Sequence, residues 1–135
     1  MVIIDRHELI MSKHETHLTR RYWTSIGGTL IEEFPVVRRS KSNAQRLLDG
    51  VVILGEKTQI LKFDQVDIKN KDIVIIQTKV NRLGMNLIGQ AILSAELMKR
   101  HDPKSIRSIA VCKFGDSILE PLAKKYGVEV VVFEE

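Results

Sequence analysis

The chain has 135 residues, which is the usual size of one domain and too short for two ordinary ones. Hydrophobic residues make up 44% and charged residues 28%, a balance typical of a globular domain that folds without a disulfide or structural metal. The net charge of +4 and the sequence pI of about 9.3 favour a polyanionic partner.

No apolar stretch reaches the roughly 20 residues of a membrane span, so no membrane partner is expected. Charged residues interrupt the N-terminus too early for a signal peptide. Cys112 lies in an apolar run and is the only cysteine, so it cannot form an internal disulfide. We therefore expect a cytoplasmic protein in which Cys112 is a buried free thiol.

The predicted chain order begins with a polar N-terminal arm over residues 1–15, and a single domain follows over 16–135. A helix from about Glu15 to Ile26 is predicted from four apolar residues at helical spacing, and two glycines end it: Leu18, Tyr22, Trp23, Ile26, then Gly27 and Gly28. The predicted strands are 29–37, 47–54, 73–80, 106–112 and 128–133, and the predicted later helices are 84–100 and 116–126.

Two features refine this prediction. Pro35 has no backbone N–H, so the first strand is expected at a sheet edge or with a bulge. A further, more polar strand is possible over 58–63. The order α-β-β-β-α-β-α-β predicts an α/β fold, with a mixed sheet flanked by helices on both faces and a final parallel strand–helix–strand unit.

Polar residues interrupt two otherwise apolar strands. Side chains alternate along a strand, so Gln77 and Lys79 share one face with Ile75, and Thr78 points to the other face. Asp49 leads directly into a run of β-branched residues. Either these side chains face a cleft, or one strand emerges into water at Gln77 and Asp49 begins a turn.

Asp49, a hairpin, Gln77-Thr78-Lys79 on a buried strand and then a long helix together resemble the core of the PD-(D/E)XK nucleases. That superfamily includes restriction enzymes and archaeal Holliday junction resolvases, and it carries an upstream Glu, an Asp, and (Asp/Glu)-X-Lys. Glu32-Glu33 supplies the upstream acid, and the resemblance covers roughly 16–111. It implies a restriction-endonuclease-like fold and hydrolysis of DNA phosphodiester bonds.

The resemblance also implies a Mg²⁺ site, in which Mn²⁺ can substitute. Asp49 would be the main ligand, and Glu33 or Glu32 the second. Neighbouring strand residues alternate faces, so only one of these two glutamates is expected to point inward, and Glu33 is the favoured one. The Gln77 side chain and the Thr78 carbonyl would complete the set. Lys79 would orient or deprotonate the attacking water, or stabilise the transition-state charge. Gln90 on the next helix lies either near the metal or on the helix surface.

Gln77 departs from the pattern, because most members of the superfamily carry an acid at that position, although some related nucleases use Gln-X-Lys. A glutamine offers an oxygen to a hard cation but adds no charge. The sequence therefore leaves two functions open. One is an Mg²⁺-dependent endonuclease acting as a homodimer; the other is an inactive nuclease-like module that binds DNA or joins a larger complex.

A basic segment precedes the Asp49 strand and is either a phosphate-binding loop or a solvated hairpin. Its cations, with one beyond Lys79, are the predicted DNA contacts: Arg38, Arg39, Lys41, Arg46 and Arg82. A third class, the Rossmann-type ligand domain, is disfavoured because Gly27-Gly28 has neither the position nor the spacing of a dinucleotide-binding loop.

Overall fold

A computed structural model of the protein describes residues 6–134, with side chains described from residue 14 onward. Within these residues, three α-helices and six strands follow one another: α1 Arg6–Ile26, β1 Thr29–Val37, β2 Arg46–Ile53, β3 Gln59–Leu61, β4 Asp72–Arg82, α2 Met85–Met98, β5 Ser105–Phe114, α3 Leu119–Lys125 and β6 Val128–Val132. The predicted α/β class is confirmed. The observed order contains one strand more than the predicted order. This additional strand is β3, which covers three residues of the possible strand over 58–63.

The six strands form one mixed sheet in the order β3-β1-β2-β4-β5-β6. β1 pairs parallel with β3 and antiparallel with β2, and β2 pairs antiparallel with β4. β4, β5 and β6 run parallel, so the predicted parallel pairing of the last two strands is confirmed. The carboxyl end of β4 therefore lies near the amino end of β2.

The sheet carries helices on both faces, as predicted. On one face Leu18 and Tyr22 of α1 cover a buried layer of aliphatic residues: Leu30, Val52, Val74, Ile76, Ile109 and Val111. On the other face α2 and α3 cover two further clusters, which include Ile31, Val51, Ile73, Ile75 and Met98, and then Leu87, Ala91, Ala110, Cys112 and Ala123. Cys112 is free and buried, which confirms the prediction for that thiol.

Two local predictions can be compared with the structure. Between Pro35 and Val37 the register of β1 against β2 shifts, which confirms the expected irregularity at the proline. α1 begins at Arg6, so the predicted helix start at about Glu15 is wrong and the helix extends through most of the segment 1–15 that was predicted as an arm. Residues 1–5 lie outside the described part. The segment continues as a helix because no glycine or proline interrupts it between Arg6 and Ile26.

Among residues 6–134, no helix combines the length and the apolar character that a membrane crossing requires.

Candidate functional site

The sheet opens between β2 and β4, its two central strands. Their ladder runs from Ile53↔Ile73 to Gly50↔Ile76 and ends there, although both strands continue. Beyond that point lies a cleft of about 830 Å³ that reaches α2, and its lining includes Asp49 from β2 and the segment Gln77-Thr78-Lys79 from β4. The two motif segments singled out in the sequence therefore face one another.

Asp49 takes over a hydrogen bond that a paired strand would otherwise make. Its Oδ2 atom accepts the backbone N–H of Thr78 at 2.8 Å. The N–H and C=O groups of one strand residue point toward the same neighbouring strand, so the Thr78 carbonyl also faces this gap. The carboxylate satisfies a backbone donor at the point where the ladder stops, and so the cleft exposes no orphaned amide at Thr78.

The environment of Asp49 is both partly buried and acidic. Burial raises the pKa of Asp49 to about 6, against the opposing effect of the Thr78 hydrogen bond. Glu15 raises that pKa further, Lys79 lowers it, and Glu33 raises it. Burial also raises the pKa of Glu15, and the charge of Lys79 acts in the opposite direction. Asp49, Glu15 and Lys79 thus form one electrostatic group.

Glu15 lies on α1 and lines the cleft. The helix crosses the sheet closely at Gly50, where an added Cβ atom would lie 3.0 Å from the Thr19 Cγ2 atom. Thr19 Oγ1 donates to the Glu15 carbonyl at 2.9 Å and lies 2.7 Å from Thr78 Oγ1. A hydroxyl has one proton, so Thr78 is the donor in the second bond. This buried bridge fixes α1 against the motif strand and holds Glu15 beside Asp49.

The other face of the motif strand carries Gln77 and Lys79. Gln77 is 7% exposed, and its Nε2 donates to Ser94 Oγ of α2 at 2.9 Å. Gln77 also lines the cleft, and its Oε1 is the amide atom that could serve as a metal ligand. Lys79 is exposed in the same cleft. The predicted alternation of Gln77, Thr78 and Lys79 is confirmed, because Gln77 contacts α2 whereas Thr78 contacts α1.

The two candidate upstream acids are placed differently. Glu32 is held by Arg20 in a bidentate ion pair, with N···O distances of 2.7 and 3.0 Å. Glu33 is exposed and lies on β1 between the two residues that pair with the neighbours of Asp49. Both acids line a cavity of about 290 Å³ together with Glu15 and Asp49. The expectation that only one of them faces this region is wrong.

The reason is the backbone at Glu33, whose φ of 52° lies in the left-handed region. Strict alternation of faces fails across such a residue. Consistent with this, Ile31 and Phe34 belong to the same core cluster, although they stand an odd number of positions apart. Glu15, which sequence reasoning assigned to the helix start and gave no role, lines both cavities that border Asp49.

The remaining predicted residues divide into three groups. Gln90 and Arg46 line the cleft, and both are exposed. Arg38 and Arg39 line a neighbouring cavity, and Lys41 is exposed on the same loop. Arg82 does not line the cleft: its Nη1 donates to the Gly115 carbonyl at 2.7 Å, and its guanidinium stacks over Phe114 on the β5 side of the sheet.

Oxygen ligands for a divalent cation are present but few. Within the described residues, no three His, Cys, Asp or Glu side chains are gathered so as to hold a metal ion. Mg²⁺, however, is commonly bound by one or two carboxylates together with waters and substrate phosphates. Asp49, Glu15, the Thr78 carbonyl and Gln77 Oε1 are all oxygen donors on this cleft, and they fit such a partial ligand set.

Sequence reasoning missed Glu15, Thr19, Ser94 and Arg100. Glu15 and Thr19 lie on the same helical stripe as Leu18 and Tyr22, and a carboxylate on that buried stripe was the available signal. Ser94 follows Gln90 by one helical turn and gave no such signal. A scan of protein-family models and searches of curated proteins and of solved structures found no match to this chain.

Proposed function

We propose that the protein is a metal-dependent DNA endonuclease that hydrolyses phosphodiester bonds in the cleft between β2 and β4. The observation that carries this proposal is the meeting of Asp49, Glu15 and Lys79 at a point where the strands separate. Two carboxylates and an ammonium group on one open cleft, with a buried amide behind them, suit phosphoryl chemistry. The likeness of the motif to PD-(D/E)XK nucleases supports the same interpretation.

In this proposal each side chain has a distinct task. Asp49 and Glu15 hold the cation, with the Thr78 carbonyl and Gln77 Oε1 as neutral oxygen donors. Mg²⁺, or Mn²⁺ in its place, would supply positive charge at the reacting phosphate and lower the pKa of a bound water. Lys79 donates to the attacking water or to a non-bridging phosphate oxygen. Gln90, exposed on α2, contacts the substrate at the opposite wall of the cleft.

The positive charge of the chain supports a nucleic-acid substrate. Arg46 lines the cleft itself, and Arg38, Arg39 and Lys41 lie on the adjoining loop. Contacts of this kind bind the phosphate backbone without reading sequence, so affinity should fall steeply with salt. Arg82 would extend the surface only at its far side. We further propose that the protein is intracellular and that it forms a homodimer. The dimer follows from the substrate, because cutting both strands of a duplex requires two copies of the cleft.

The test is cleavage of labelled plasmid and branched DNA with Mg²⁺ or Mn²⁺. Wild type should cut, and Asp49→Ala and Lys79→Ala should each lose at least ~100-fold in rate. Lys104→Ala is the matched control: Lys104 is exposed just before β5, at the opposite end of the sheet from the cleft. Equal rates for Lys79→Ala and Lys104→Ala would rule out this site.

A second function is favoured by two observations, the glutamine at position 77 and the partial ligand set around it. An inactive nuclease-like module would bind DNA in a salt-sensitive way, or join a larger complex, without cutting any substrate in either metal. Binding by wild type with no cleavage under all conditions would select this alternative. Failure both to bind and to cut would leave Asp49 and Lys79 with structural roles.

A further inference from the structure

A third cavity lies beside the cleft, and its polar lining among the described residues carries no negative charge. It encloses about 430 Å³ between the end of β1, the loop that follows β1, and the 3₁₀ turn at Lys99–His101 after α2. Its polar lining is cationic or neutral and contains no carboxylate: Arg38, Arg39, Ser40, Asn43, Arg100 and His101. Arg100 also lines the cleft that holds Asp49, so the two spaces share a wall.

Among the residues whose side chains are described, the arginines of this cavity have no carboxylate within ion-pair distance, in contrast to Arg20 and Arg107. Arg20 is paired with Glu32, and Arg107 with Glu129, at 2.7 and 2.9 Å. Across residues 14–134, neither Arg39 nor Arg100 makes an ion pair. The Arg38 guanidinium lies 5.6 Å from the centroid of the Phe63 ring, at a neighbouring pocket that Glu33 also lines. All three arginines line this cavity and are exposed, so their positive charges would attract an anion that enters it.

The walls of the cavity are held by hydrogen bonds. Asn43 Nδ2 donates to the Arg38 carbonyl at 2.7 Å, and the Ser40 backbone N–H donates to the Asn43 carbonyl at 3.1 Å, which closes the loop on itself. On the facing wall, His101 Nε2 donates to the Val36 carbonyl at 2.9 Å. The backbone that carries the cavity's arginines is therefore a fixed frame, and little ordering is needed on binding.

We propose that Arg38, Arg39 and Arg100 form a phosphate-binding subsite for the nucleic-acid strand whose neighbouring phosphate lies in the Asp49 cleft. This inference rests on the proposed function for its choice of substrate. The planar guanidinium fork suits phosphate oxygens, and two or three such groups around a cavity suit a single phosphodiester. Since Arg100 borders both spaces, a strand that leaves the cleft passes this cavity next.

The experiment measures equilibrium binding of a fluorescent DNA duplex in EDTA over a range of salt concentrations, so no cleavage occurs. Arg100→Gln and the double variant Arg38→Gln/Arg39→Gln are compared with wild type and with Lys104→Gln, which removes one charge at the far end of the sheet. Each arginine removed should weaken binding and reduce the slope of log K against log salt by about one. Lys104→Gln should leave the slope unchanged.

A second arm replaces Arg100 by lysine, which retains the charge but loses the fork. Arg100→Lys should keep the salt slope of wild type and still bind more weakly. Thermal unfolding of every variant checks that the exposed substitutions leave the fold intact. The same salt slope for the arginine variants and for Lys104→Gln would overturn the subsite.

Poly-glutamate serves as a second probe for the chemistry of the anion. Loss of poly-glutamate binding by the same factor as loss of DNA binding would show a general anion surface and overturn the assignment to phosphate. Cleavage by wild type is measured separately with Mg²⁺. A wild type that binds DNA through these arginines but never cuts would contradict the endonuclease proposal while leaving the subsite supported.

Discussion

The carboxylate of Asp49 accepts the backbone N–H of Thr78 at 2.8 Å, at the position where the ladder between β2 and β4 ends. One side chain thus both replaces a strand partner and marks the opening of the cleft. The Thr78 hydroxyl on the other side of the strand is bonded to Thr19 of α1. Through these two bonds, Thr78 connects the cleft to the helix that carries Glu15.

Replacing Asp49 by asparagine should stabilise the metal-free protein at neutral pH. Burial raises the pKa of Asp49 to about 6, above the roughly 3.9 of an unfolded chain, so the folded state favours the protonated acid. The free energy of unfolding of the wild type should therefore fall as the pH rises from about 4 to about 6, and it should stay at the lower value above pH 6. The amide oxygen of the introduced asparagine can still accept the Thr78 N–H, and the side chain carries no charge.

The free energy of unfolding of Asp49→Asn should exceed that of wild type by about 3 kcal/mol above pH 6, and this difference should shrink toward pH 4. Urea unfolding in EDTA at several pH values measures it. A difference that stays constant from pH 4 to pH 7 would contradict the raised pKa.

Glu15 should matter more for metal binding than either residue of the Glu32-Glu33 pair. Glu15 and Asp49 line both cavities, whereas Glu32 is held by Arg20 and Glu33 is exposed. Mg²⁺ at about a hundred times its dissociation constant should stabilise wild type by about 2.7 kcal/mol. Glu15→Gln should lose most of this stabilisation, and Glu33→Gln should lose less.

Thermal unfolding with and without Mg²⁺ compares the three glutamate variants, with Glu32→Gln as the matched control. If Glu33→Gln were the variant that loses the metal response, Glu33 would be the second ligand, as the motif resemblance implies.

The bridge between Thr19 and Thr78 should behave as a coupled pair. Thr19→Val leaves the buried Thr78 hydroxyl without its acceptor, at a cost of about 1–3 kcal/mol. The double variant Thr19→Val/Thr78→Val removes both hydroxyls with little change in shape and should be less destabilised than the sum of the single variants. Chemical denaturation of all four proteins gives the coupling energy. Additive effects would show that the bond contributes nothing.

Gln77→Glu should strengthen cation binding and weaken the metal-free fold. A carboxylate at this position would add a charge beside Asp49 and Glu15 in a nearly buried place, at a cost of ~2–4 kcal/mol without metal. With Mg²⁺ or Mn²⁺ present, the same charge becomes a ligand, and affinity should rise by at least about tenfold.

Calorimetric titration of the metal, together with unfolding in EDTA, measures both effects for Gln77→Glu. Gln90→Glu adds the same charge at an exposed position of the cleft and serves as the control. An unchanged metal affinity in Gln77→Glu would mean that position 77 does not face the cation.

Local chain chemistry determined most of the architecture. Runs of β-branched residues, helical spacing of apolar residues, and glycines and prolines at the boundaries define five of the six strands and the later helices, because these signals depend on near neighbours alone. The opposite faces of Gln77 and Thr78 also follow from strand geometry, and the structure confirms them. The sequence signal was weakest for strand β3, because three residues are too few to show a clear alternation.

Tertiary structure decided which acids meet at the cleft. Glu15 reaches Asp49 because α1 packs closely over Gly50, and this depends on contacts between segments far apart in the chain. Glu33 lies in left-handed backbone, so the alternation rule could not assign its face. The cleft itself exists because the Asp49 side chain, rather than the β2 backbone, pairs with Thr78. The periodicity of side chains in the sequence predicts which face of a strand each residue occupies. Only the packing of distant segments determines where two strands separate and which residues fill the gap between them.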